Sequence, residues 1–253
     1  MHIDLSGKKV LVTGGSRGIG RAIAVRLAEA GADVAINYLR KVSSAEKTAD
    51  LIRAAGGEAM IIKANVANEQ HLQSMFDQIE SQFGKLDILI SNAASGVLKP
   101  VSELTLHHWH WTMDINAGTL IPMSQHFRRA LPQGTTGNII AVSSLGAIRA
   151  IPNYTAVGAS KAALESVVRH LAAELASENI HVNAVSAGLV ETDALRHFPN
   201  REELIKRSLE KTPAGRLTTP EDVADTVLFL CSPLADMIHG QTIIVDGGYS
   251  ILG

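Results

Sequence analysis

The segment KVLVTGGSRGIGRAIAVRLAEAG, Lys9–Gly31, holds a strand, a glycine-rich turn and a helix in immediate succession. Lys9–Thr13 is a run of apolar and β-branched residues that stops at a glycine pair, as a short buried strand does. From Gly18 onward apolar residues recur at helical spacing, and Gly31 supplies the usual stop. Between strand and helix the glycines stand at positions 14, 15, 18 and 20, a variant of the G-x-G-x-x-G spacing with Gly15 as an extra. Positions without side chains let backbone N–H groups approach a pyrophosphate at a helix N-terminus. A tight strand–helix turn is the plainer alternative. Placement after the first strand and at the opening of the first helix favours a dinucleotide site.

Outward from this segment, apolar runs alternate with helical patterns. Strands are expected in DVAINY (33–38), EAMIIKANV (58–66), LDILIS (86–91), GNIIAVSS (137–144), IHVNAVSAG (180–188) and QTIIVDGG (241–248). Helices are expected near 44–55, over 71–83, through a long stretch ending at Ala130, and over 159–176. Strands that are apolar throughout, separated by helices, imply an α/β fold with a parallel sheet covered on both faces. The 253 residues contain no linker, repeat or low-complexity stretch, so a single domain over 1–253 is the economical reading.

Hydrophobic residues make up 46% of the chain and charged residues 19%, with a net charge of −2, which gives no global bias toward nucleic acid or membrane. No apolar run approaches the ~18 residues of a membrane span, and the N-terminus lacks a signal-peptide pattern. The single cysteine, Cys231, cannot form an internal disulfide, in keeping with a cytoplasmic protein.

An NAD site usually carries an acidic residue at the end of the second strand to bind the ribose hydroxyls. Here that strand ends in Asn37, Tyr38, Leu39, Arg40 and Lys41, with no acid. Arg17 and Arg40 are suited to pair with a 2′-phosphate, so NADPH is the expected cofactor. The alternative is that both arginines are merely solvated.

A second informative stretch is NYTAVGASKAALE, Asn153–Glu165, in which Tyr154 and Lys161 lie seven positions apart. Four is the commoner spacing for such a pair, and the residue four before Lys161 is Val157. Within one helix seven residues advance ~10.5 Å. Gly158 is expected to let the backbone leave helical values. That puts Tyr154 on the approach to a helix beginning near Ala159, with Lys161 in its first turn.

These motifs together resemble the short-chain dehydrogenase/reductase family: TGGSRGIG, NAAS at Asn92–Ser95, Asn116 in DINAG, Ser144 in AVSS, the Tyr/Lys segment, NAVSAG at Asn183–Gly188 and QTIIVDGG. The resemblance covers nearly the whole chain. It implies a Rossmann-like doubly wound parallel sheet of about seven strands flanked by helices. It further implies cofactor contacts at Gly14, Ser16, Arg17, Gly18, Ile19, Gly20, Arg40, Asn65, Val66, Asn92, Ala93, Lys161, Gly188, Val190 and Thr192.

Three departures from the usual family pattern matter: Val157 at the tyrosine position, Ala94 for the last glycine of NAG, and Ala187-Gly188 for proline-glycine. SAG together with a tyrosine seven before the lysine is similar to the enoyl-acyl-carrier-protein reductase branch, and more narrowly to its NADPH-dependent type III members. NYLRK and VDGG are equally at home in 3-oxoacyl-carrier-protein reductases.

The resemblance implies reduction of the carbon–carbon double bond of trans-2-enoyl thioesters in fatty-acid elongation, by a cytoplasmic homotetramer. In this reading Tyr154 donates to the developing enolate oxygen, Lys161 binds the nicotinamide ribose and favours phenolate character in Tyr154, and Ser144 is a second donor. Asn116 holds a helix backbone and a water chain. The rivals are a carbonyl reductase of 3-oxoacyl thioesters, steroids or other substrates, and an NADP-binding sensor without turnover.

Two further stretches carry expectations. HHWHW, His107–Trp111, invites a metal reading, but no carboxylate or cysteine joins it at a ligand spacing, and a packed helix start is expected instead. Residues 190–215 correspond to the family's mobile lid. There Arg196, Arg201, Lys206, Arg207 and Lys211 suit an acidic acyl-carrier protein or a solvated face, and Leu195, Phe198 and Leu204 suit an acyl channel.

Overall fold

Seven parallel strands form one sheet in the order β3-β2-β1-β4-β5-β6-β7. The structure is a computed structural model, and it describes residues 3–192, 195 and 201–252. The strands are β1 Lys9–Val12, β2 Asp33–Tyr38, β3 Ala59–Lys63, β4 Ile88–Ser91, β5 Gly137–Ser144, β6 Ile180–Ala187 and β7 Thr242–Val245. Chain order reverses direction at β1, so the switch point lies between β1 and β4, where Val12 pairs with Ile90. In sheets of this kind ligands bind at the carboxyl ends of the strands beside that crevice.

The helices are α1 Gly18–Glu29, α2 Val42–Ala54, α3 Glu69–Phe83, α4 Leu106–Met113, α5 Leu120–Ala130, α6 Thr155–Leu175, α7 Arg201–Lys211 and α8 Pro220–Leu230. Successive side chains of β1 serve opposite faces of the sheet. Val10 and Val12 join Ile23 and Leu27 of α1 and Val223 and Val227 of α8 in one apolar layer. Leu11 joins Leu72 and Met75 of α3, Phe127 of α5 and Leu164 and Val168 of α6 in the other. The doubly covered sheet inferred from the apolar strands is therefore present. No helix among the described residues is long and apolar enough to cross a membrane.

Three expectations about helices need correction. The long stretch to Ala130 is broken. A 3-10 turn at Val101–Glu103 precedes α4, and a π-helical turn at Asp114–Gly118 separates α4 from α5. π-turns of this sort put an extra residue into a helix and are frequent at functional sites; this one carries Asn116. Second, α6 begins at Thr155 rather than near Ala159, with Tyr154 as its N-cap, so Lys161 lies in the second turn. Third, the backbone leaves helical values at Asn153, whose φ is 61°, and not at Gly158, which is helical. Asparagine tolerates this left-handed conformation better than most residues. Gly158 is needed for a different reason: a Cβ there would lie 2.7 Å from the carbonyl oxygen of Gly146.

Candidate active site

A cleft of about 1110 Å³ runs across the carboxyl ends of the strands. Its first end is built by the glycine loop. Thr13 at the end of β1 donates through Oγ1 to the Ile90 carbonyl (3.1 Å) and accepts there from the N–H groups of Asn92 (3.0 Å) and Ala93 (3.1 Å). Asn92 returns its Nδ2 to the carbonyls of Thr13 (2.9 Å) and Gly14 (3.2 Å). The loop after β1 is thereby tied to the end of β4. A Cβ at Gly20 would come within 2.5 Å of Asn92 Nδ2, and one at Gly15 within 2.0 Å of Ile36 Cγ2. The extra glycine is thus explained by close packing on β2.

Arg17, the N-cap of α1, makes no side-chain cap bond, and Gly18, Ile19 and Gly20 of the first turn line the cleft. Uncapped N–H groups with the positive end of a helix dipole behind them fit a pyrophosphate. Arg17, Arg40 and Lys41 line the same end. Lys161 and Arg207 bring the cations on the cleft to five, and no carboxylate lines it among the described residues. The donor set therefore fits an anionic dinucleotide.

The second end is built by β5 and α6. Three consecutive residues at the end of β5 each hold a residue of the α6 segment. The Val142 carbonyl accepts from Lys161 Nζ (2.7 Å). Ser143 Oγ donates to Glu165 Oε1 (2.6 Å). Ser144 Oγ accepts from the Tyr154 hydroxyl (3.4 Å) and from the Gly146 N–H (3.2 Å). The Tyr154 ring lies over Gly146, where an added Cβ would sit 2.4 Å from the ring. Ser144, Tyr154 and Lys161 all line the cleft.

Burial pushes the Tyr154 phenol above its usual range, with the Ser144 hydrogen bond opposing. Burial also pulls the Lys161 ammonium down from 10.5 to about 8, against the charge of Glu165. The Lys161 ammonium is held at Val142. In this arrangement burial favours the neutral form of the Tyr154 phenol.

Of the catalytic and cofactor-contacting residues expected from sequence, all but Asn116 line the cleft, including Ser16, Asn65, Val66, Ala93, Gly188, Val190 and Thr192. Asn116 is 3% exposed and acts behind the wall: Oδ1 accepts from the Ser95 N–H (2.8 Å) and Nδ2 donates to Ser160 Oγ (2.9 Å). Ser160 in turn donates to the Val157 carbonyl (2.7 Å). Asn116 is therefore a positioning residue for the start of α6.

Val157 does not line the cleft among the described residues; its Cγ2 packs where a Cβ on Gly96 would fall, 2.4 Å away. Within HHWHW, His108 closes a capping box with Thr105, and Trp111 lines the cleft. No group of three or more metal-binding side chains occurs among the described residues. In the lid segment, Leu195 is buried and lines the cleft with Leu204 and Arg207, while Arg201 pairs with Glu191 at 2.5 Å. Arg196 and Phe198 lie outside the described residues.

Sequence reasoning missed Asn37, Glu165 and Tyr249. Asn37 accepts from the Gly14 N–H (3.3 Å) and donates to the Ala64 carbonyl (3.0 Å), tying the glycine loop to the end of β3. Its only signal in the sequence was the missing acid at the end of β2.

Comparison with known proteins shows what family and fold the chain shares. A family profile described as enoyl-(acyl carrier protein) reductase matches residues 14–250. The 1-cyclohexenylcarbonyl-CoA reductase of Streptomyces collinus is 38% identical over 244 residues, 96% of this chain and 86% of that protein. The solved 7α-hydroxysteroid dehydrogenase, complexed with NADH and 7-oxo glycochenodeoxycholic acid, superposes with a TM-score of 0.92 at 34% identity over 97% of this chain and 95% of its own. A short-chain dehydrogenase of Burkholderia cenocepacia in complex with NADP gives a TM-score of 0.89 at 35% identity, over 97% and 99%.

Proposed function

This chain belongs to the short-chain dehydrogenase/reductase family, and from that premise we propose that it reduces the carbon–carbon double bond of trans-2-enoyl thioesters with NADPH. The observation that carries the reading is the position of the one tyrosine of NYTAVGASK. Tyr154 faces the cleft beside Ser144 from the N-cap of α6, while Val157, at the commoner position, is packed against Gly96.

Three residues of helix separate the two positions, ~4.5 Å along the axis. A ketone reductase delivers hydride to the carbon bonded to the oxygen that the tyrosine protonates. An enoyl thioester reductase delivers it to the β-carbon, and charge develops on an oxygen three bonds away, on the order of 2 Å or more farther from the hydride donor. A proton donor works only at hydrogen-bond distance. The more distant oxyanion therefore suits a tyrosine set farther up the helix.

NADPH supplies the hydride when bound. Arg17 and Arg40 hold its 2′-phosphate, the α1 N-terminus its pyrophosphate, and Lys161 its nicotinamide ribose. Tyr154 and Ser144 donate hydrogen bonds to the enolate oxygen as it forms, and the buried, protonated phenol is the form able to donate. Leu195 and Leu204 flank the acyl chain, and α7, which lines the cleft through Leu204, Arg207 and Ser208, acts as a lid over it. The thioester is carried on acyl-carrier protein or CoA, and a cytoplasmic homotetramer acting in fatty-acid elongation completes the reading. Its support is the family resemblance and the match to an enoyl-reductase profile.

The second reading, a carbonyl reductase, is favoured by the likeness to the 7α-hydroxysteroid dehydrogenase. Following NADPH oxidation with crotonoyl thioester and with acetoacetyl thioester separates the two. Robust turnover of the enoyl substrate is expected; ketone turnover without it would overturn the proposal.

A further inference from the structure

The sheet order places β7 at the edge opposite β3, so the segment after β7 reaches the end of the cleft farthest from β3. Tyr249 is in that segment and lines the cleft together with Leu189 and Ser208. Leu189, Ser208 and Tyr249 also line a second, small space of about 20 Å³ together with Thr212, Leu217, Thr218 and Asp246. Tyr249 is therefore shared by the cleft and this adjoining space.

The turn that presents Tyr249 is held from three directions. The Asp246 carboxylate accepts from the N–H groups of Gly248 (2.9 Å) and Ser250 (2.7 Å). Gly247 and Gly248 are both left-handed, and a Cβ on Gly247 would lie 2.7 Å from Thr212 Cγ2, so the turn sits directly on the chain leaving α7. The Ala214 N–H donates to the Gly247 carbonyl (3.0 Å). From the opposite wall, Arg149 donates through its guanidinium to the carbonyls of Ser250 and Leu252. Arg149 precedes Ala150, Ile151 and Pro152, which line the cleft. The C-terminal turn is thus strapped between the β5–α6 loop and the end of α7.

We infer that Tyr249 sets the size of the acyl group this cleft accepts, with Arg149 as the latch that holds it in place. Shortening a side chain shared by the cleft and an adjoining space enlarges the room at that point of the cleft. Leu189 and Ser208, which line both spaces with Tyr249, are uncharged, so what this point of the cleft reads is bulk and not charge. The inference rests on the acyl-thioester reading above.

The test compares kcat/KM for a bulky ring-bearing enoyl thioester with that for crotonoyl thioester. In Tyr249→Ala the ratio of bulky to small should rise about tenfold or more, in the range expected when a few methylene-sized contacts are removed. Arg149→Ala should move it the same way by less, and Tyr249→Phe, which keeps the ring, should leave the ratio near the wild-type value. Tyr249→Leu serves if the alanine variant does not fold. An unchanged ratio in the shortened variant overturns the inference. A wild-type chain that reduces no enoyl thioester refutes the reading above but not the wall. The ratio is then taken from dissociation constants of saturated acyl thioesters of the two sizes, which need no turnover.

Discussion

Glu165 provides a sharp test of how the buried lysine is kept charged. Lys161 is 6% exposed and Glu165 8% exposed, one helical turn apart on α6. The fall of the ammonium from 10.5 to about 8 corresponds to about 3 kcal/mol against its charged form, at ~1.4 kcal/mol per pH unit. Burial is the cause, and the Glu165 carboxylate limits it. Ser143 and Ser144 at the end of β5 and Tyr154 at the α6 N-cap are uncharged at neutral pH.

Glu165→Gln removes the charge but keeps a carbonyl oxygen that can accept the Ser143 hydroxyl, so the latch to β5 is preserved. Two unit charges roughly 6 Å apart, as for i, i+4 partners, interact by about 2–3 kcal/mol at an effective dielectric near 20. Losing that attraction lowers Lys161 by about one to two pH units. The upper limb of kcat/KM, expected near pH 8 in the wild type, should move toward neutrality in Glu165→Gln. Well below both limbs the two enzymes should converge.

The same group has a stability consequence of defined sign. Its folded value lies below its unfolded one, so the unfolded chain binds more protons between about 8 and 10.5. The cofactor-free protein should therefore gain stability from this group as pH rises through that window, and Lys161→Met should lose that part of the slope. The measurements are kcat/KM across pH and thermal denaturation across pH. An upper limb that stays put in Glu165→Gln, or a deficit that persists at low pH, would refute the electrostatic argument.

Two other consequences are open to direct measurement. Replacing Arg17 and Arg40 together by serine should weaken NADPH by about 10- to 100-fold, from charge-assisted bonds of ~1.5–3 kcal/mol each with partial exposure, and leave NADH nearly unaffected; calorimetry with both nucleotides reads this, and equal losses would mean a structural role. Tyr154→Phe should cost about 100-fold or more in kcat, the range of a positioned acid. Adding Val157→Tyr should not restore enoyl turnover, because the side chain at that position packs against Gly96; recovery in the double variant would show that the hydroxyl's place along α6 is immaterial.

What was readable in the sequence followed from local rules. Strands β2 and β5 are found at the residues where apolar runs placed them, because a strand buried on both faces leaves an uninterrupted apolar signature. The glycine loop was readable because its constraint is local, a helix N-terminus that must admit a phosphate.

The start of α6 was misjudged because two glycine demands look alike in sequence. In sequence Gly158 reads as a position needing conformational freedom; in the fold it is one needing empty space beside Gly146, 12 residues away. The freedom is used at Asn153 instead. Glu165 and Tyr249 escaped for a related reason. Each matters through a neighbour that only the folded sheet supplies: Ser143 on β5 for one, Arg149 and the end of α7 for the other.

A tyrosine on a flexible approach could have swung into the place of Val157. A tyrosine fixed as the N-cap of a continuous helix, its ring seated on Gly146 and its hydroxyl at Ser144, has its distance from Lys161 set by helical geometry. The seven-residue spacing then bears directly on where a proton donor stands, and so on which oxygen it can reach.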